Sequence, residues 1–173
     1  MMPIVQAVIA AAITCSSLAC PYHNSEFGYS VKFPKVEQGS VCVPDGPGGR
    51  HGARLMFRKD GDCEKLDVPS VGVSADYNAL HWKDSISAAE ALCLNGTVKA
   101  SNLKLDGLPV AECNRKSRFV RGWTSVSFIA VNAPKNDDGL IFTVGLTAPT
   151  AAIVGYLPTA KKLLNAVVLD ATR

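Results

Sequence analysis

The residue best placed to do chemistry is His51, in the stretch Asp45-Gly46-Pro47-Gly48-Gly49-Arg50-His51-Gly52. A loop so rich in glycine brings backbone donors, Arg50 and the nearby Arg54 close to an imidazole, the side chain suited to proton transfer near neutral pH. Asp45 is available to orient it. This is the basis for reading a small hydrolase that uses His51. Spacing marks no nucleophile to complete such a site, and an exposed loop histidine explains the same residue. The loop is not a phosphate cradle, because no Gly-Lys-Ser/Thr follows its glycines. No catalytic residue is therefore assigned, and no cofactor is expected.

The segment Asn114-Arg115-Lys116-Ser117-Arg118-Phe119-Val120-Arg121-Gly122-Trp123 places four cations and two aromatic rings within ten residues. Guanidinium groups take carboxylates in bidentate fashion, and Arg and Trp dominate binding hot spots. Arg115, Lys116, Arg118, Arg121 and Trp123, with Arg50 and His51, are the candidate binding residues. The alternative is a solvated turn whose Phe119 and Trp123 point into the core. Asp60, Asp62 and Glu64 crowd another turn but lack the spacing of a calcium loop. His23, His51 and His81 are scattered and no cysteine pair has zinc-ligand spacing, so no metal site is assigned. Asn95-Gly96-Thr97 fits the N-x-T acceptor pattern, which matters only in a host that glycosylates.

Residues 1–19 carry no charged side chain and contain an apolar run from Ile4 to Ile13, ending in Ser16-Ser17-Leu18-Ala19. This reads as a secretory signal, too short to span a bilayer, which leaves residues 20–173 as one globular domain. Two cleavage chemistries compete at the bond before Cys20. Ser17 and Ala19 suit a small-residue cleavage site, whereas Leu18-Ala19-Cys20 resembles the end of a bacterial lipoprotein signal, with Cys20 the lipidated residue. Removing Cys15 with the signal leaves five cysteines, an odd number for an oxidising compartment. Locality pairs Cys42 with Cys63 and Cys93 with Cys113 and leaves Cys20 apart, lipidated or a free thiol. Each bridge closes a loop of about 20 residues, contributing roughly 3 kcal/mol through the unfolded state. The net charge of +3 is too small to argue for nucleic acid, or for a membrane except through lipid on Cys20.

Strands must position these residues. Tyr29, Val31 and Phe33 alternate with polar neighbours up to Pro34, Ala53 to Arg58 suits a second strand, and Val71, Val73 and Ala75 mark a third. A helix is predicted from Asp84 or Ser85 to a stop at Asn95-Gly96. Asp106-Gly107 turns a hairpin between Leu103–Leu105 and Val110–Cys113, which the Cys93–Cys113 bridge would pin to that helix. A second hairpin joins 123–131 to 140–146 through Asn136-Asp137-Asp138-Gly139 and supplies the sheet centre. From Thr150 to Ala171 the pattern is helical, with a break expected at Pro158. The class is α+β: a single antiparallel sheet of about six or seven strands packed with two main helices.

The opening Gly28-Tyr29-Ser30-Val31-Lys32-Phe33-Pro34, the closing strand Gly139 to Pro149 and the helix ending Leu163-Leu164-Asn165-Ala166-Val167 resemble the ends of PsbP/Mog1-like domains. That resemblance implies an exported or accessory sandwich domain, often a lipoprotein in bacteria, without an agreed enzymatic role. The leading expectation is an exported, non-catalytic envelope protein, periplasmic or lipid-anchored in a bacterium and otherwise secreted. It would bind another envelope protein through the surface near the glycine loop and the basic segment. One subtype is a periplasmic inhibitor or immunity protein against a secreted cell-wall-targeting toxin. The rival is the hydrolase using His51.

Overall fold

The computed structural model describes residues 20–44, 51–59, 62–133 and 139–170. The expected signal, most of the glycine loop with Asp45 and Arg50, Asp60, and the turn residues Asn136, Asp137 and Asp138 lie outside the described residues. The chain runs β1 (Cys20–Asn24), β2 (Tyr29–Phe33), β3 (Ser40–Cys42), β4 (Gly52–Met56), β5 (Ser70–Tyr77), α1 (Ser85–Leu92), β6 (Thr97–Leu105), β7 (Leu108–Lys116), β8 (Trp123–Asn132), β9 (Leu140–Pro149), α2 (Ile153–Asn165) and β10 (Val167–Leu169). The class is α+β, with every strand pairing antiparallel.

The expectation of a single sheet is corrected. The strands form a seven-stranded sheet in the order β3-β4-β5-β9-β8-β7-β6 and a second, three-stranded sheet in the order β1-β2-β10. Two short strands make the difference. β1 follows directly on the expected signal and alternates buried Cys20, Tyr22 and Asn24 with exposed Pro21 and His23. β10 was expected as the tail of the last helix, but α2 ends at Asn165 and the β-branched Val167-Val168 pairs with β2 instead. The expected break at Pro158 is also corrected, because α2 runs through it. Proline removes one donor to the carbonyl of Val154, and Val154 is 72% exposed, so water can take that place.

The core lies between the two layers. From β1 and β2 come Tyr22, Tyr29, Val31 and Phe33; the large sheet supplies Leu55, Val71, Val73, Phe128, Phe142, Val144 and Leu146; α2 contributes Ala160, Leu163 and Leu164. Phe27, Tyr29, Phe33, Phe128 and Phe142 are fully enclosed, each worth about 1.5–3 kcal/mol of burial. Side chains alternate along each strand, so the residues between these face the other way. On that outer face α1 covers one half only: Ala88, Ala89 and Cys93 pack on Ala111, Cys113, Ile129, Val131 and Ile141. The aspartate read as a possible cap does cap α1, Asp84 Oδ1 accepting from Ser87 N at 2.8 Å. The hairpin β6–β7 turns at Asp106 and Gly107, both with positive φ (45° and 86°), as the dipeptide predicts.

Both expected disulfides form. Cys42–Cys63 has its Cα atoms 5.8 Å apart, and Cys93–Cys113, at 5.7 Å, ties the end of α1 to β7. Cys20 is disulfide-bonded and 3% exposed.

Candidate functional site

The half of the outer face that α1 leaves uncovered is a cleft of about 460 Å³. Its origin is visible in β8. The outward residues Ser125 and Ser127 give way to Ile129 and Val131, and α1 packs only on the second pair. β9 changes in the same way, from Ile141 beneath the helix to Thr143, Gly145 and Thr147 in the cleft. A short helix gains nothing by covering hydroxyls and glycines, so the polar half of the sheet stays open.

Strand register arranges the floor in rows. One row crosses four strands as Arg54, Gly72, Gly145 and Ser127. Its neighbour runs Ser70, Thr147, Ser125 and Arg115. The two arginines thus stand on opposite sides of a shallow floor, four strand spacings apart, or about 19 Å between backbones. Each is anchored: Arg54 Nη1 donates to the carbonyl of Cys63, and Arg115 Nη1 to the carbonyl of Leu92 at the end of α1, both at 3.1 Å. Burial holds the Arg54 guanidinium below its ordinary pKa, and Glu64 partly offsets this; a guanidinium stays charged in a protein all the same.

Disulfides support both sides. Cys42 stands opposite Arg54 in the β3–β4 pair, and its bridge to Cys63 fixes the loop that presents Glu64, Lys65 and Leu66 to the cleft. On the far side Ser117 Oγ accepts from the amides of Phe119 and Val120, each at 3.3 Å, shaping the turn that brings Phe119 to the rim. Phe119 is 75% exposed, so the inward orientation considered for it does not occur. Among the described residues the cleft therefore carries three cations, Arg54, Lys65 and Arg115, against the single carboxylate of Glu64. Such a balance favours an anionic occupant.

The sequence candidates divide. Arg115 lines the cleft, while Lys116, Arg118 and Arg121 are exposed on the same segment and Trp123 is half-buried at the start of β8, none of the four lining it. His51 stands beside the cleft residue Gly52 and contacts Asp76 from Nδ1 at 2.6 Å. Its ring packs on Phe27 with centroids 4.9 Å apart, and its carbonyl accepts from Tyr29 Oη at 2.8 Å. The histidine is thus oriented, by an aspartate 25 positions away that sequence reading did not single out. The same reading also missed Lys65, Gly72 and Gly145; the available signal was the change from serine to aliphatic along the outward side of β8.

No protein-family model matches the chain, and no curated protein matches it. Among solved structures it is similar to the solution structure of cyanobacterial PsbP (CyanoP) from Synechocystis sp. PCC 6803, at 10% identity over 94% of this chain and 98% of that chain, with a TM-score of 0.48.

Proposed function

We propose that residues 20–173 are exported after removal of a signal and act without catalysis, by holding an acidic surface of another envelope protein in the outer cleft. The basic segment and the rim of the glycine loop, expected to form the binding surface, contribute Arg115 and the neighbourhood of Gly52; Arg54 and Lys65 complete it. The observation that carries this reading is the cleft's charge: three cations to one carboxylate among the described residues, with both arginines tethered by backbone carbonyls. A charged side chain already held in place loses less conformational freedom on binding. Two disulfides favour an oxidising compartment. On this reading the His51–Asp76 pair shapes the end of the cleft and performs no turnover.

Capture from envelope extract, followed by zero-length carboxyl–amine cross-linking, tests the proposal. One stoichiometric partner is expected, joined through an aspartate or glutamate to Lys65, and Arg115→Glu should reduce its recovery at least tenfold with the fold intact. Equal capture by Arg115→Glu, or a hydrolytic activity abolished by His51→Ala in a folded protein, would sink it.

A further inference from the structure

The floor of the cleft contains a glycine that the fold itself does not require. Gly145 lies mid-strand in β9, the central strand of the large sheet, and its φ is not positive. Among the described residues a Cβ built there meets only Ser127 Oγ, at 3.8 Å, an ordinary contact. Its register partner Gly72 differs, since a Cβ there would come within 3.1 Å of the Ala53 carbonyl. Glycine inside a strand sacrifices stability, and where internal packing does not demand it, it marks a close approach by a ligand or another backbone.

Resting on the cleft as the binding site, we infer that its occupant is an extended acidic loop of the partner protein. The main chain of that loop lies flat on the Gly72–Gly145 step, and its carboxylates reach Arg54 on one side and Arg115 on the other. Three features select a peptide. Serine and threonine hydroxyls on the floor both donate and accept, which matches the paired N–H and C=O groups of a backbone and not the acceptor-only oxygens of a phosphate. Among the described residues no aromatic ring lies on the floor to stack against a sugar face. Leu66 and Phe119, 47% and 75% exposed, rim the cleft where apolar side chains of the loop would rest.

The test uses the full chain and a labelled peptide of alternating glutamate and leucine, read by fluorescence anisotropy, with Gly145→Ala, Gly145→Val and Arg115→Gln. Binding should weaken stepwise from wild type to Gly145→Ala to Gly145→Val, by tenfold or more at the last, while the melting temperature stays level or rises. Arg115→Gln should weaken binding as well. Undiminished binding by Gly145→Val with loss in Arg115→Gln would remove the glycine step and leave the cationic cleft standing. Indifference to both substitutions would remove both proposals. Failure of the wild type to bind the peptide, or tighter binding of an oligogalacturonate, would overturn the peptide assignment.

Discussion

At the scale of single residues, Tyr29 shows how burial and hydrogen bonding combine. Its ring is fully enclosed, edge-on to Phe142 at 5.8 Å, and its hydroxyl donates to the carbonyl of His51. Burial, reinforced by Tyr22, pushes its pKa far above the ordinary phenol value of 10.0. The folded state therefore keeps a proton that the unfolded chain releases. Stability from this group is present below pH 10.0 and is lost as pH rises beyond it. Urea unfolding of the wild type should weaken between about pH 8 and about pH 11, and Tyr29→Phe should flatten that dependence while costing about 1 kcal/mol at the lower pH through the lost hydrogen bond. The alternation of β2 makes Tyr29 legible as an inward residue. Its bond to His51 is not, because the two are 22 positions apart and meet only through packing.

At the scale of elements, α1 has eight residues, too few to persist alone in water. It is held by the Asp84 cap, by the fully buried Ala88 and Ala89, and by the bridge from Cys93 to β7. The double substitution Cys93→Ser and Cys113→Ser should cost about 3 kcal/mol in urea unfolding. It should also weaken cleft binding, since the end of the helix supplies the carbonyl that holds Arg115. The two bridges differ in access: Cys93 and Cys113 are each 2% exposed, whereas Cys42 and Cys63 are half-buried. Limiting reductant with trapping alkylation, read by peptide mass, should open Cys42–Cys63 first; earlier labelling of Cys93 and Cys113 would contradict this. Both pairings were legible from locality, because each joins neighbouring elements. The course of α2 through Pro158 was not, since it depends on which side of the helix meets water.

For the whole molecule, two layers enclose one core and leave half of one outer face open, and the binding proposal rests on that opening. Export is testable on the mature protein: its intact mass should lack residues 1–19 and rise by about 4 Da on reduction, two hydrogens for each of two bridges. A further acyl increment would place a lipid on Cys20, which must then leave the bonded, buried state it has in the 173-residue chain. The sequence by itself determined the features that local physics dictates: period-two strands, the Asp106-Gly107 turn, a helix start at Asp84 or Ser85 and the α+β class, and locality pointed to the two bridges. Tertiary structure decided that Cys20–Asn24 and Val167–Leu169 pair with Tyr29–Phe33 in a second sheet, because which segments stand side by side is set by packing between parts far apart in the chain. It also decided the site. The basic run around Arg115 was conspicuous as a string of cations, but a cleft exists only because Arg54, Gly72, Gly145 and Ser127 fall into one row across four strands. That row is set by register between segments far apart in the chain, and its exposure by where α1 comes to rest; no local window of sequence contains either.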